Sequence, residues 1–235
     1  MRIGILQCGQ SPEALKEELG DYPDMFVRLL DGRGFDFRIW HVEEMDFPES
    51  IHDADGWLLT GSRHGVYEDH AFIPPLEQFV RDAYAADVPL VGICFGHQLI
   101  AQALGGTVIK HPKGWVVGTQ DYDFDGEKVR LNAWHQDQVV ELPQDAKVIA
   151  RNDACENAAL VYHDRALTIQ AHPEFNDSFI QGLMDTRAKG VVPDERLDQA
   201  AARMGESKAS PTMADRIENF FKQPRAFGDA PQGAA

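Results

Sequence analysis

Cys94 lies within Gly92-Ile-Cys-Phe-Gly96, between a short apolar run, Pro89 to Ile93, and a helix-forming run, Gln98 to Leu104. The apolar run has the β-branched content of a buried strand, and Gly105-Gly106 closes the second run as a helix C-cap would. Gly-x-Cys-x-Gly between a strand and a helix is the thiol counterpart of the Gly-x-Ser-x-Gly nucleophile elbow. A turn that sharp brings the flanking backbone together, so side chains at positions 92 and 96 would collide and glycine removes them. The thiol then stands at a helix N-terminus, where the dipole and free N–H groups favour thiolate over thiol. Alone, such a turn suits a buried structural thiol equally well; its partners decide between the two.

A cysteine nucleophile needs a base to take and return its proton, and a third group to orient that base. Gln170-Ala-His172-Pro-Glu174-Phe, at the end of the last predicted strand, offers both. Residues two apart on an extended chain point the same way, and Pro173 holds the residue before it extended, so His172 and Glu174 are expected to meet. The developing oxyanion needs N–H donors. The N–H of Phe95, just after the nucleophile, is one; the glycine turn Leu59-Thr60-Gly61-Ser62-Arg63 is the candidate for another.

These groups have to be positioned by a scaffold. Ile3 to Leu6, Phe35 to Val42, Gly56 to Thr60 and Pro89 to Ile93 read as strands, with helices over 23–31 and 76–86 between them. That alternation predicts a doubly wound parallel sheet with helices on both faces, in which ligands gather at the carboxyl ends of the strands. From 107 to 171 the pattern becomes short strands divided by turns such as Asp125-Gly126, which predicts an antiparallel section. Helical pieces follow at 177–189, 194–205 and 212–222. The tail from 224, rich in proline, glycine and alanine, is expected to be disordered.

A chain of 235 residues with 43% hydrophobic and 26% charged residues is ordinary for one large globular domain or one domain plus an appendage. Its net charge of −16 argues against nucleic acid or an anionic membrane as partner. The N-terminal apolar run is too short for a signal peptide, and no stretch has the length to cross a bilayer. Three cysteines, Cys8, Cys94 and Cys155, make no disulfide framework, so a reducing cytoplasm is the expected setting. Cys8 reads as a buried structural thiol and Cys155, near Asn152-Asp153, as a loop residue. No pair of histidines falls at the usual zinc spacing, so no metal is expected.

Gly92-Ile-Cys-Phe-Gly-His-Gln98, the Thr-Gly-Ser turn upstream and His-Pro-Glu downstream resemble, in that order, the class I (triad) glutamine amidotransferases. The stand-alone, GMP synthetase-like branch is the nearest likeness, and the resemblance covers about residues 1–175. It implies a flavodoxin-like core, mostly parallel; the small antiparallel section and a helical extension over 176–223 rest on the pattern of strands and helices above. It further implies a Cys94–His172–Glu174 triad, oxyanion N–H groups from Gly61 and Phe95, and a role for Gln98 in holding the glutamyl end of the substrate. Trp134-His135-Gln-Asp137-Gln-Val139 is similar to the family's Ser-His-x-Asp-x-Val loop, which lines the glutamine pocket. Trp replaces Ser here, so contacts from position 134 do not carry over, and His135 is a lesser candidate than His172.

The implied reaction releases glutamate and ammonia from glutamine through a γ-glutamyl thioester on Cys94, without metal or organic cofactor. The chain carries no phosphate-binding loop for ATP, so an ammonia acceptor would be a separate synthetase. The alternative is a free-standing γ-glutamyl hydrolase or peptidase acting on γ-glutamyl amides or peptides. A non-catalytic binding protein is disfavoured because all three triad positions are filled. The extension is expected to cap the pocket, form a homodimer or dock a synthetase.

Overall fold

Five strands form the parallel half of the sheet. They are Arg2–Leu6 (β1), Asp36–Trp40 (β2), Gly56–Leu59 (β3), Leu90–Ile93 (β4) and Ala166–Ile169 (β11). In the computed structural model, which describes residues 1–225, these five stand side by side in the order β2-β1-β3-β4-β11 and are mutually parallel. That is a flavodoxin-like order. Every residue of β3, β4 and β11 is buried, as helices on both faces require.

The antiparallel section is divided between two sheets. Ala159–Tyr162 (β10), Ala146–Arg151 (β9), Val116–Phe124 (β6) and Glu127–His135 (β7) continue the main sheet beyond β11, giving nine strands. Thr107–Lys110 (β5) pairs separately with Asp137–Glu141 (β8). β8 escapes the sequence reading because only Gln136 separates it from β7, with no glycine or proline to mark the corner.

Helices Glu13–Leu19 (α1) and Tyr22–Leu29 (α2) follow β1, and Ile73–Ala85 (α3) and Phe95–Ala103 (α4) flank β4. The extension supplies Asp177–Thr186 (α5), Asp194–Ala202 (α6) and Ser210–Lys222 (α7). α1 is absent from the sequence reading: it buries no residue, so it leaves no apolar stripe to detect. Phe79, Val80, Leu99 and Ile100 of α3 and α4 cover one face of the sheet with Trp57 and Leu59. On the other face Phe26 of α2 meets Met213, Ile217 and Phe221 of α7 over Ile5, Leu58 and Val91. The 213/217/221 spacing is one helical stripe. α7 is therefore a wall of the core rather than an outlying helix. Of the tail expected to be disordered from 224, residues 226–235 lie outside the described residues, while Arg225 donates to the carbonyls of Phe220, Phe221 and Asp164.

The elbow takes the shape that its glycines predict. Cys94 has φ 53° and ψ −100°, a left-handed conformation rare outside glycine that costs about 1–3 kcal/mol. Helix α4 begins immediately after it, at Phe95, three residues earlier than propensity suggests. A Cβ on Gly92 would stand 2.5 Å from the Gly96 carbonyl oxygen, and one on Gly96 would stand 2.5 Å from the Leu59 carbonyl oxygen. Both obstacles are backbone, which cannot rotate away. Gly92→Ala should thus lower stability by about 3 kcal/mol, read as a lower urea midpoint; an unchanged midpoint would mean that the elbow is not close-packed.

Candidate active site

β3, β4 and β11 are adjacent and parallel, so their carboxyl ends share one edge of the sheet. Gly61 follows β3, Cys94 follows β4 and His172 follows β11. Three residues separated by up to 111 positions are thereby brought together. A Cβ on Gly61 would lie 3.1 Å from His172 Cε1 and 3.9 Å from Cys94 Cβ, so residue 61 packs directly against both. Cys94, at 6% exposure, borders the cleft together with His172.

Three contacts fix His172. Its backbone N–H donates to the Asn132 carbonyl at 2.8 Å, tying it to β7. Nδ1 donates to Glu174 Oε1 at 2.6 Å, which leaves Nε2 for the thiol. The imidazole lies flat on the Phe175 ring, centroids 3.9 Å apart and planes within 3°. Phe175 in turn packs on Phe179 of α5 at 4.4 Å, so the extension braces the histidine from behind.

His172 and Glu174 do meet, but not along an extended chain. His172-Pro-Glu-Phe175 is a turn closed by the Phe175 N–H to the His172 carbonyl, 3.4 Å. Proline's fixed φ suits the second position of such a turn. The Glu174 side chain is 1% exposed, and only one of its carboxylate oxygens has a hydrogen-bond partner among the described residues.

Charge dominates the site. Burial by itself would push the His172 imidazole down, yet the Glu174 carboxylate and the Cys94 sulfur raise it to about 10. It is therefore an imidazolium at neutral pH. His135 behaves oppositely: burial, reinforced by the positive His172, pushes it down to about 3 and keeps it neutral. Its Nδ1 faces the Asp137 carbonyl at 3.3 Å, so Nδ1 carries the proton. Cys155 is pushed up to about 12 by burial, and Cys8 is also raised by burial. Neither is a reactive thiol.

A cleft of about 440 Å³ opens over Cys94, with Gln98, His135 and His172 in its lining. Gln98 donates from Nε2 to the Asp137 carbonyl at 2.9 Å and to Gln170 Oε1 at 3.1 Å, which fixes its amide in place. The Trp134 carbonyl oxygen is 4.0 Å from Cys94 Sγ. Phe95 lies under the elbow, 1% exposed, as the first residue of α4, where N–H groups have no intrahelical partner. The extension contributes to the lining: Leu183, Arg187 and Val191 line the cleft with Trp115 and Trp134, whose rings pack 6.1 Å apart. Arg187 is held by the Tyr22 hydroxyl at 3.2 Å and the Gln10 carbonyl at 2.9 Å. Sequence reasoning misses Asn132, Phe175 and Arg187. Phe175 has a signal, its place beside His-Pro-Glu; the other two act through tertiary contacts that no local pattern records.

The model of the family described as glutamine amidotransferase class-I matches residues 20–180, more than half of the chain. The chain belongs to this family. It is 30% identical over 229 residues to γ-glutamyl peptidase 4 of Arabidopsis thaliana, covering 90% of this chain and 91% of that one. It is 36% identical over 173 residues to a subunit of the glutamine-hydrolyzing GMP synthase of Methanopyrus kandleri, covering 66% of this chain and 84% of that one. In fold, this class I amidotransferase superimposes on a glutamine amidotransferase from Methylobacillus flagellatus with a TM-score of 0.74 at 22% identity, over 94% of this chain and 92% of the other. Among its described residues no helix is long and apolar enough to cross a membrane.

Proposed function

We propose that this class I amidotransferase is a free-standing γ-glutamyl hydrolase that cleaves γ-glutamyl peptides or amides through a thioester on Cys94. One observation carries the choice of substrate: part of the wall of the cleft that holds Cys94 is built by the chain's own C-terminal segment, through Leu183, Arg187 and Val191. An acceptor synthetase would have to approach past that wall, whereas a γ-glutamyl peptide can fill the space beneath it. The extents of similarity agree. The match to the plant peptidase, at 90% of this chain, cannot be reached without residues beyond 175; the match to the GMP synthase component covers 66%. We read 1–223 as one unit on the same grounds, since α7 packs on the sheet.

In this reading Cys94 attacks the γ-carbonyl carbon as the thiolate, paired with the His172 imidazolium. The oxyanion is received by the N–H groups of Gly61 and Phe95. His172 gives its proton to the departing nitrogen as the C–N bond breaks, which leaves the γ-glutamyl thioester. Neutral His172 then takes a proton from water, the hydroxide adds to the thioester carbon, and glutamate leaves as the thiolate is regenerated. Glu174 holds the imidazole orientation throughout, and Gln98 and His135 contact the glutamyl end. The chemistry calls for neither metal nor organic cofactor.

The second reading is an ammonia-supplying component of a synthetase, favoured by the 36% identity to the GMP synthase component. Turnover of glutamine and of a γ-glutamyl dipeptide panel by the purified chain separates the two. A peptidase releases glutamate from peptides with kcat/KM at least ten-fold above that for glutamine. A dormant component turns over both slowly. The wall makes a further difference measurable: Trp115→Ala should raise KM for the peptides about five- to ten-fold, the worth of one aromatic contact, while leaving that for glutamine unchanged.

A further inference from the structure

Among the described residues, one group of histidine and carboxylate side chains is disposed to hold a metal ion, and it lies on the loop after Gly61. His64, Glu68 and His70 each present a ligand atom there, and all of these lie within 4.8 Å of one another. Glu68 Oε2 is 2.9 Å from His70 Nε2 and 3.8 Å from His64 Nδ1. Ligands of a tetrahedral zinc ion, each about 2.0–2.1 Å from the metal, stand about 3.4 Å apart; the two separations bracket that value. His64 is oriented from behind, because its Nε2 meets Glu43 Oε1 at 2.9 Å. A carboxylate can only accept, so Nε2 carries the proton and Nδ1 turns its lone pair toward Glu68. A carboxylate behind a histidine whose other nitrogen faces the ion is the usual support of a metal ligand. Glu43 Oε2 is buried and has no hydrogen-bond partner among the described residues.

We propose that His64, Glu68 and His70 form a site for a divalent transition metal of the zinc type at the mouth of the cleft. Two imidazoles and one carboxylate make a borderline donor set suited to zinc and its neighbours and ill suited to magnesium or calcium. Ordinary ion pairing serves this cluster poorly. The His64 and His70 ring centroids are 3.9 Å apart, and two imidazolium rings so close repel. One divalent ion satisfies all three ligands at once, in a chain whose charge of −16 favours cations. Their spacing, His-x-x-x-Glu-x-His, is not a helical zinc motif; the loop assembles it, which is why the sequence alone predicts no metal. His64 and Glu68 also line the cleft, so the ion would sit at its rim and not at the reacting carbon.

The test is a calorimetric titration of the full, metal-stripped chain with Zn²⁺ in a Cys94→Ala background, which denies the ion the active-site thiolate. The expected result is one equivalent bound with a micromolar or tighter Kd, and Co²⁺ giving the intense visible absorption of a tetrahedral site. Adding His70→Ala should weaken binding at least ten-fold, and Glu43→Gln about ten-fold through the orientation of His64. Glu68→Gln, on a half-exposed side chain, repeats the test should His70→Ala fold poorly. Zinc binding unaffected by His70→Ala and Glu68→Gln, or no binding below millimolar zinc, overturns the site. Because the readout is binding, this result is independent of which γ-glutamyl substrate the enzyme takes.

Discussion

Cys94→Ala is expected to abolish turnover of every γ-glutamyl substrate while leaving the fold intact. Loss of a covalent nucleophile removes the attacking atom and, with it, the benefit of the base that activates it, so kcat should fall by about 10⁴-fold or more. The site will still bind substrate, because Gln98, His135 and the tryptophan wall are untouched; KM or ligand affinity should change little. Stability should stay within about 1 kcal/mol, since the side chain is short and alanine has to adopt the same left-handed backbone, φ 53°. Rates with glutamine and with a γ-glutamyl peptide, alongside a thermal melt, check all three statements. Residual turnover within ten-fold of the parent would transfer the chemistry to another residue. No second reactive thiol is at hand among the described residues, because burial raises both Cys8 and Cys155.

Glu174→Gln should lower kcat by about 10²- to 10⁴-fold, the range typical of removing the carboxylate that orients a catalytic histidine. Glutamine keeps the size of the side chain and a hydrogen-bond acceptor but gives up the charge. In the parent, burial alone would lower His172; the Glu174 charge, with the Cys94 sulfur, is what raises it to about 10. Without that charge the imidazole loses its proton at lower pH. The alkaline limb of kcat/KM therefore moves toward neutrality in the variant, and the sign follows from His172 having to be protonated to expel the leaving amine. Stability gives an independent reading. A raised histidine stabilises the fold fully below its ordinary value of 6.5, and that contribution disappears as the pH climbs through about 10. The stability difference between parent and variant should accordingly be largest below pH 6.5 and shrink toward pH 10. A merely structural glutamate would leave the activity profile unshifted.

Much of this site is legible in the sequence because its parts are local. The elbow is five residues long, its glycines are explained by carbonyls only 2.5 Å from where a Cβ would stand, and the His-Pro-Glu segment supplies the partners that mark its thiol as a nucleophile. The alternation of strands and helices says that chemistry gathers at carboxyl strand ends, and Gly61, Cys94 and His172 do lie at three of them. What stays hidden is tertiary. Nothing near Asn132 announces that its carbonyl will hold the His172 backbone, or that its side chain will donate to the Phe175 carbonyl at 3.0 Å. The His172–Glu174 contact is foreseeable, but from the wrong backbone: a turn around Pro173 makes it, not an extended strand. The extension looks in sequence like an addition to a complete domain. Instead α5 braces Phe175, Arg187 joins the cleft and α7 covers one face of the sheet, because a helix of suitable stripe is indistinguishable in sequence from one that packs elsewhere.

The most direct test of the central claim is intact-mass spectrometry of the enzyme, acid-quenched within milliseconds to seconds of mixing with a γ-glutamyl dipeptide. The account predicts a transient species heavier by one glutamyl group, localised to the peptide containing Cys94, chased to free glutamate, and absent from Cys94→Ala. Steady release of glutamate with no acyl species at any time, even in a Glu174→Gln variant slowed enough for it to accumulate, would contradict a thioester on Cys94.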